Sequence, residues 1–179
     1  MIFRILAVFV LLAAALLIIA ALRPADFHVV RSATIAAPAA TIFDQVNDLH
    51  QWQKFSPWAA LDPSAKIAFE GPHAGVGAAF TWAGNSQIGT GRMTLTENRP
   101  AEFVRFRLDF VKPMAGTSTT EFTFKPAGGQ TVVSWSMSGK NNLIARLMCL
   151  VVNMDKVLGG QFEKGLASLK AQSEAAARK

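Results

Sequence analysis

The sequence is poor in the residues that build cross-linked or metal-bound folds. It contains one cysteine, Cys149, which excludes a disulfide framework within the chain and a cysteine-rich zinc module. Apolar residues surround Cys149, so we expect a buried and inert thiol. The three histidines, His28, His50 and His73, lie far apart along the chain. We therefore predict no histidine-based metal site and assign no metal ligand.

Motifs of common enzyme classes are also absent. The sequence has no Gly-x-Ser-x-Gly elbow, no phosphate-binding loop, no Gly-x-Gly-x-x-Gly and no His-Glu-x-x-His. Titratable residues that could serve acid–base chemistry are Asp155, His28, His73 and Glu70. Asp155 stands beside Lys156, which favours a solvent-facing or helix-pairing role. We predict no catalytic residue and no cofactor, and an enzyme is the less favoured class.

Long blocks of one charge sign are missing too, although the chain carries a net charge of +6. Arg4 and Arg23 flank an apolar segment, and sixteen basic and twelve acidic residues remain without them. A remaining net charge of +4 with no basic cluster argues against a nucleic-acid partner. It is compatible with attraction to anionic lipid headgroups.

What the sequence does have is a high apolar content, 51% of its 179 residues against 17% charged residues. Residues 5–22 carry no polar side chain and would form a helix of about 27 Å, close to the thickness of the bilayer core. We predict a single-pass membrane anchor over residues 1–23 and a soluble domain over residues 24–179. A cleaved signal peptide is the alternative. The positive charges at the start of the chain favour an extracytoplasmic domain.

Beyond the apolar segment, hydrophobic periodicity predicts an α+β fold. Phe27–Ile35 indicates a strand, Ala39–Val46 a helix, and Asn47–Trp58 a second short helix or turn that stops at Pro57. Six further segments alternate polar and apolar residues between turn signals: Lys66–Glu70, Gly77–Trp82, Gln87–Glu97, Phe103–Phe110, Ser118–Lys125 and Thr131–Ser138. Their connections are too short for parallel crossovers, so we predict a largely antiparallel meander with one covered face.

The C-terminal part of the chain has a helical period. From Asn142 onwards, apolar residues recur at steps of three and four over more than 25 residues. We predict one long amphipathic helix with a bend allowed at Gly159 and Gly160. Its first half, from Leu143 to Met154, is apolar almost all round. This half must therefore contact protein, ligand or bilayer on more than one side.

Several local motifs stand within this order of elements. They are 27–32 (FHVVRS) with 35–38 (IAAP), 42–48 (IFDQVND), Trp52 with 56–58 (SPW), 81–82 (TW), 91–93 (GRM), 133–135 (VSW) and 162–170 (FEKGLASLK). With a strand, two short helices, six strands and a long helix, they resemble the START-like, polyketide cyclase/dehydrase superfamily (SRPBCC) over about residues 27–174. The resemblance implies a helix-grip fold, in which a curved antiparallel sheet of about seven strands packs on the C-terminal helix.

The resemblance also implies a cavity between the covered sheet face and the long helix. Apolar side chains suited to its wall are Phe80, Trp82, Met93, Leu95, Phe106, Phe110, Trp135, Met137, Met154, Leu158 and Phe162. The alternative is that these residues pack on one another as a filled core. We predict a membrane-anchored domain that binds a lipid or another apolar small molecule in this cavity.

Two other function classes stay open. A cyclase- or hydrolase-like enzyme of the same fold would need an ionisable group that opens into the cavity. An interaction protein without a ligand would leave the cavity unused. The sequence favours no particular oligomeric state.

Overall fold

The structure of the chain, a computed structural model, describes residues 2–178. Its helices and strands follow in the order α1 Ile2–Leu22, β1 Asp26–Ile35, α2 Ala39–Asn47, α3 Leu49–Phe55, α4 Pro57–Leu61, β2 Lys66–Glu70, β3 Ala79–Ala83, β4 Thr90–Arg99, β5 Phe103–Lys112, β6 Gly116–Ala127, β7 Gln130–Lys140, α5 Leu143–Met148 and α6 Met154–Ala176. Helix α1 is long and apolar enough to cross a membrane from Phe3 to Leu22. The predicted α+β fold is confirmed.

The seven strands form one antiparallel sheet in the order β1-β7-β6-β5-β4-β3-β2. Strands β2 to β7 pair in sequence order, as their short connections require. The exception is β1, which pairs with the last strand from Asp26 opposite Lys140 to Ile35 opposite Thr131. The predicted meander is therefore confirmed, and β1 extends it beside β7.

One face of the sheet is covered and the other meets solvent. In β5, Val104, Phe106 and Leu108 are buried, whereas Arg107 between them is exposed. Strands β6 and β7 repeat this period of two, because successive side chains of a strand point to opposite faces. The predicted covered face is confirmed, and a buried ligand could only lie on that side.

Three short helices follow β1, one more than the sequence indicated. Helix α2 buries the three apolar residues whose spacing predicted it, Ile42, Phe43 and Val46. Helix α3 begins after its N-cap Asp48 and already ends at Phe55. Ser56, which precedes Pro57, is extended and ends α3, as the predicted stop at Pro57 requires. Pro57 also opens α4, because the first position of a helix needs no N–H donor.

A long C-terminal helix is confirmed as α6, but its predicted start at Asn142 is wrong. The chain forms the short helix α5 first, which ends at the C-cap Cys149. Helix α6 then begins after Asn153, whose side chain accepts a hydrogen bond from a first-turn backbone N–H at 3.0 Å. Two capping asparagines therefore define two helices. The predicted bend at Gly159 and Gly160 lies inside the continuous α6.

Candidate functional site

A cavity of about 1130 Å³ lies between the covered sheet face and the C-terminal helices. Seven of the predicted wall residues line it: Phe80, Trp82, Met93, Phe110, Met137, Met154 and Leu158. The first five come from strands and the last two from α6. Helix α5, above this part of the sheet, contributes no buried residue, so packed side chains do not fill the space beneath it. Contact of these seven residues with a ligand stays a prediction.

Four other predicted wall residues lie in the filled core instead: Leu95, Phe106, Trp135 and Phe162, each at most 1% exposed. The Trp135 ring stacks on Phe162 with centroids 4.5 Å apart. Helix α6 comes this close to β7 because Gly165 has no side chain; a Cβ there would lie 2.5 Å from Cζ3 of Trp135. The indole N–H of Trp135 donates to Oγ1 of Thr120 at 2.9 Å. This end of the groove is therefore packed and hydrogen-bonded internally.

The cavity opens beside the end of α1. Exposed residues of its wall include several in the linker after α5 and in the β3–β4 and β5–β6 turns. Arg23, just after α1, lines the same opening. The guanidinium of Arg146 in α5 donates hydrogen bonds to the backbone carbonyls of Ala21 and Arg23 at 3.1 and 3.3 Å. These hydrogen bonds satisfy carbonyl groups at the end of α1, and they join α1 to α5 at the cavity mouth.

One buried carboxylate on the cavity wall, Asp62, is absent from the residues that the sequence indicated. It accepts hydrogen bonds from the hydroxyl and backbone N–H of Ser64 at 2.6 and 3.1 Å, and from the backbone N–H of Asn85 at 2.7 Å. The Ser64 hydroxyl and then the Asn85 N–H hold the pKa of Asp62 below its usual range. The ionised Asp62 therefore links the loop after α4 to the β3–β4 loop through its hydrogen bonds. The Asp-Pro-Ser turn signal at 62–64 could have revealed it.

The two acidic candidates for acid–base chemistry are each held in an ion pair. Asp155 accepts two hydrogen bonds from the guanidinium of Arg31, at 2.9 and 3.2 Å, and Arg31 also donates to Glu163 at 2.9 Å. The bond from Arg31 holds the pKa of Asp155 below its usual range. Glu70 pairs with Arg92 at 2.6 Å. Asp155 therefore has a pairing role, but its partner Arg31 lies on a strand and not on a helix.

Cys149 and the histidines differ from the sequence predictions. Cys149 is half-buried, because it caps α5 and lies on the cavity wall. His28 is exposed and also lies on that wall. The turn between β2 and β3 brings His73 beside His50 and Asp48. The expectation that the histidines stay apart is therefore wrong, because separation along the chain does not measure distance across a folded turn.

Comparison with known proteins agrees with this architecture. The sequence model of the family described as polyketide cyclase/dehydrase and lipid transport matches residues 26–174. This range starts with β1, ends in α6 and agrees with the resemblance found in the sequence. A search of curated proteins finds no match.

The solved structures that share this fold include the following three. Protein CV1439 from Chromobacterium violaceum is 16% identical, with a TM-score of 0.59 over 85% of this chain and 99% of that chain. The Aha1 dimer from Colwellia psychrerythraea is 16% identical, with a TM-score of 0.59 over 83% of this chain and 96% of that chain. The di-domain ARO/CYC StfQ from the steffimycin biosynthetic pathway is 13% identical, with a TM-score of 0.60 over 87% of this chain and 52% of that chain. These similarities confirm the predicted helix-grip fold.

Proposed function

The chain belongs to the polyketide cyclase/dehydrase and lipid transport family, and on that premise we propose that its cavity binds a lipid or another apolar small molecule. The observation that carries the proposal is a volume of about 1130 Å³ behind a largely apolar wall. Pockets for small ligands commonly measure roughly 300–1,000 Å³, so this cavity has room for a lipid-sized molecule. Its methionine and aromatic side chains adapt to apolar ligands of varied shape.

Our proposal includes a retained membrane anchor over residues 1–23 and a ligand-binding domain over residues 24–179. Helix α1 exposes large apolar side chains along its length, among them Phe3 and Leu22, which supports a lipid environment. A signal sequence has the same composition. The mass of the protein isolated from membranes distinguishes the two, because cleavage would remove α1. A reporter fused after Lys179 tests the extracytoplasmic location.

Exposed apolar side chains near the cavity mouth support the membrane as the source of the ligand. We call this surface the portal patch; it consists of Leu143, Ile144, Met148, Val151, Met154 and Val157, each at least 40% exposed. Helix α5, which carries three of these residues, is joined to the end of α1 by the hydrogen bonds of Arg146. Arg23 and Lys140 on the cavity wall add positive charge, which attracts anionic headgroups. A ligand dissolved in the bilayer would then enter the cavity without crossing water.

Ligand binding is tested with the full chain, purified from membranes in mild detergent. The protein is stripped of lipid, incubated with vesicles made from a membrane extract, isolated again and analysed by mass spectrometry. We expect enrichment of a defined set of apolar molecules over their proportion in the vesicles. Recovery of vesicle lipids in unchanged proportions would contradict the proposal.

A matched pair of variants separates binding in the cavity from lipid held around α1. Ala145→Trp adds an indole to the cavity wall, whereas Ala167→Trp adds one to the exposed surface of α6. Both variants keep α1, so lipid around that helix is the same in both. We expect Ala145→Trp to lose most of the enriched compound, because the added ring occupies its space, and Ala167→Trp to retain it. Equal retention by both would refute binding in the cavity.

A cyclase- or hydrolase-like enzyme is the second candidate, and the position of His28 on the cavity wall favours it. Histidine is the commonest general acid or base in enzymes. Asp62 and Asp155, by contrast, are committed as ionised hydrogen-bond acceptors. An enzyme would yield one compound from the wild-type cavity and its unconverted precursor from His28→Ala. The same compound in both proteins would favour binding without catalysis.

A further inference from the structure

A second cluster of polar side chains lies outside the cavity, where the β2–β3 turn meets the start of α3. It consists of Asp48, His50 and His73, and one potential ligand atom from each of the three lies within 4.8 Å of the other two. The three residues are not part of the cavity wall. Carboxylate oxygen and imidazole nitrogen are ligands of zinc and of neighbouring divalent transition metals.

The distances within the cluster fit metal ligands better than hydrogen-bond partners. Oδ1 of Asp48 lies 3.5 Å from Nδ1 of His50, and Oδ2 lies 3.5 Å from Nδ1 of His73. A direct N–H···O hydrogen bond would measure about 2.7–3.2 Å. Two ligand atoms that share one tetrahedral zinc ion stand roughly 3.3–3.4 Å apart, since each lies about 2.0–2.1 Å from the metal. Each carboxylate oxygen of Asp48 therefore stands close to this separation from one imidazole nitrogen.

A buried atom of His50 supports the same interpretation. Nδ1 of His50 is inaccessible to solvent and has no hydrogen-bond partner in the part of the chain that the structure describes. Its ring stacks between Phe69 and His73, with centroid separations of 3.8 and 4.1 Å. A buried nitrogen without a partner destabilises the fold, and coordination to an ion would satisfy it.

The fold holds two of the three side chains in place and leaves the third able to turn. Asp48 caps α3, because its Oδ1 accepts the backbone N–H of His50 at 2.8 Å. An isolated β-bridge pairs Asp48 with Ala74, the neighbour of His73. The two imidazole planes lie within 8° of parallel, so one ring must tilt before both nitrogens can point at one ion. The His73 side chain is 68% exposed and can make this movement.

We propose that Asp48, His50 and His73 bind one divalent transition-metal ion, with Zn²⁺ as the best match to the ligand types. Three protein ligands leave a fourth position for water, on the exposed side of His73. The ion cross-links the start of α3 to the β2–β3 turn. The site does not depend on ligand binding in the cavity.

The test uses the full chain in detergent, purified through a tag without histidine and freed of metal by a chelator. Calorimetric titration with Zn²⁺ measures stoichiometry, and the absorption of bound Co²⁺ reports the ligand set. We expect one ion per chain and a melting temperature higher by roughly 5–10 °C at a hundredfold excess of Zn²⁺ over its Kd. Absence of saturable binding would overturn the proposal.

Three variants locate the site. His73→Ala removes the most exposed ligand, and Asp48→Asn removes a charge while keeping a side-chain oxygen that can cap α3. His28→Ala is the matched control, on the cavity wall. We expect Zn²⁺ affinity to fall at least roughly tenfold in the first two variants and to stay unchanged in the control. Wild-type affinity in His73→Ala, or equal weakening in all three variants, would place the ion elsewhere and overturn the proposal.

Discussion

The two halves of the groove beneath the C-terminal helices differ in what fills them. In the half under the middle of α6, Trp135 and Phe162 stack ring on ring and are almost fully buried. In the half near α5, Met137 lies only two residues further along the same strand and lines a cavity of about 1130 Å³. Both halves rest on the same alternating apolar face of β7.

The helices rather than the sheet make this difference. Helix α6 reaches the sheet at Gly165, where a Cβ would collide with Trp135. Helix α5 buries none of its residues and is separated from α6 by the linker 149–153. One glycine and one helix break therefore decide which part of the sheet face becomes core and which part borders a cavity.

The largest expected effect comes from emptying the packed half. Phe162→Ala should lower the free energy of unfolding by about 3–5 kcal/mol, because it leaves a cavity beside Trp135. Met137→Ala should cost less, at or below the low end of the roughly 2–5 kcal/mol typical of a buried methionine, because that side chain already borders empty space. Urea unfolding followed by tryptophan fluorescence measures both values.

The ratio of these two losses also tests the comparison itself. The hydrogen bond from the Trp135 indole N–H to the Thr120 hydroxyl is available in both variants. The change in packing therefore dominates each loss of unfolding free energy. Equal losses for Phe162→Ala and Met137→Ala would mean that the hollow half is as densely packed in solution as the other half.

Replacing either of two glycines of α6 with alanine should change the free energy of unfolding by a smaller amount, and in opposite directions at the two positions. At Gly165 a new Cβ would meet Cζ3 of Trp135 at 2.5 Å, and overpacking of this kind costs about 1–3 kcal/mol. At Gly160 nothing lies within 4 Å of a new Cβ. Gly160→Ala should therefore stabilise the protein by about 0.5–1 kcal/mol through helix propensity, whereas Gly165→Ala should destabilise it. Stabilisation by both would show that α6 can move off the sheet at little cost.

Local periodicity made the strands and the covered face predictable. The alternation in Phe103–Phe110 depends only on neighbours in the chain, and from Val104 to Leu108 it matches the burial observed in β5. The capping asparagines, Asn142 and Asn153, were also visible in the sequence and could have indicated two helices.

The division into cavity and core was not predictable from the same pattern. Trp135 and Met137 share a strand, a face and an apolar character, and they differ only in which helix lies above them. The cluster of Asp48, His50 and His73 likewise depends on how one turn folds against one helix. Both features follow from long-range packing, which a local pattern does not contain.

The smallest expected effect concerns the attachment of α6 near its start. Arg31 of β1 binds Asp155 and Glu163 on either side of Gly159, whose lack of a side chain makes room for the guanidinium. The pKa of Asp155 lies below its ordinary value because Arg31 donates to the ionised form. This pair therefore stabilises the fold above the unfolded pKa of about 3.9, and the contribution is lost as the pH falls through the lower folded pKa.

Asp155→Asn should therefore melt at a slightly lower temperature than the wild type at neutral pH, and the gap should close as the pH is lowered below about 4. The effect is small because the carboxylate is 60% exposed and water screens the pair. Asp44→Asn is the control, an exposed carboxylate in α2 for which the described chain shows no ion pair. Melting temperatures across this pH range measure both. If the gap persisted in acid, the contribution of Asp155 to stability would not come from the charge that it presents to Arg31.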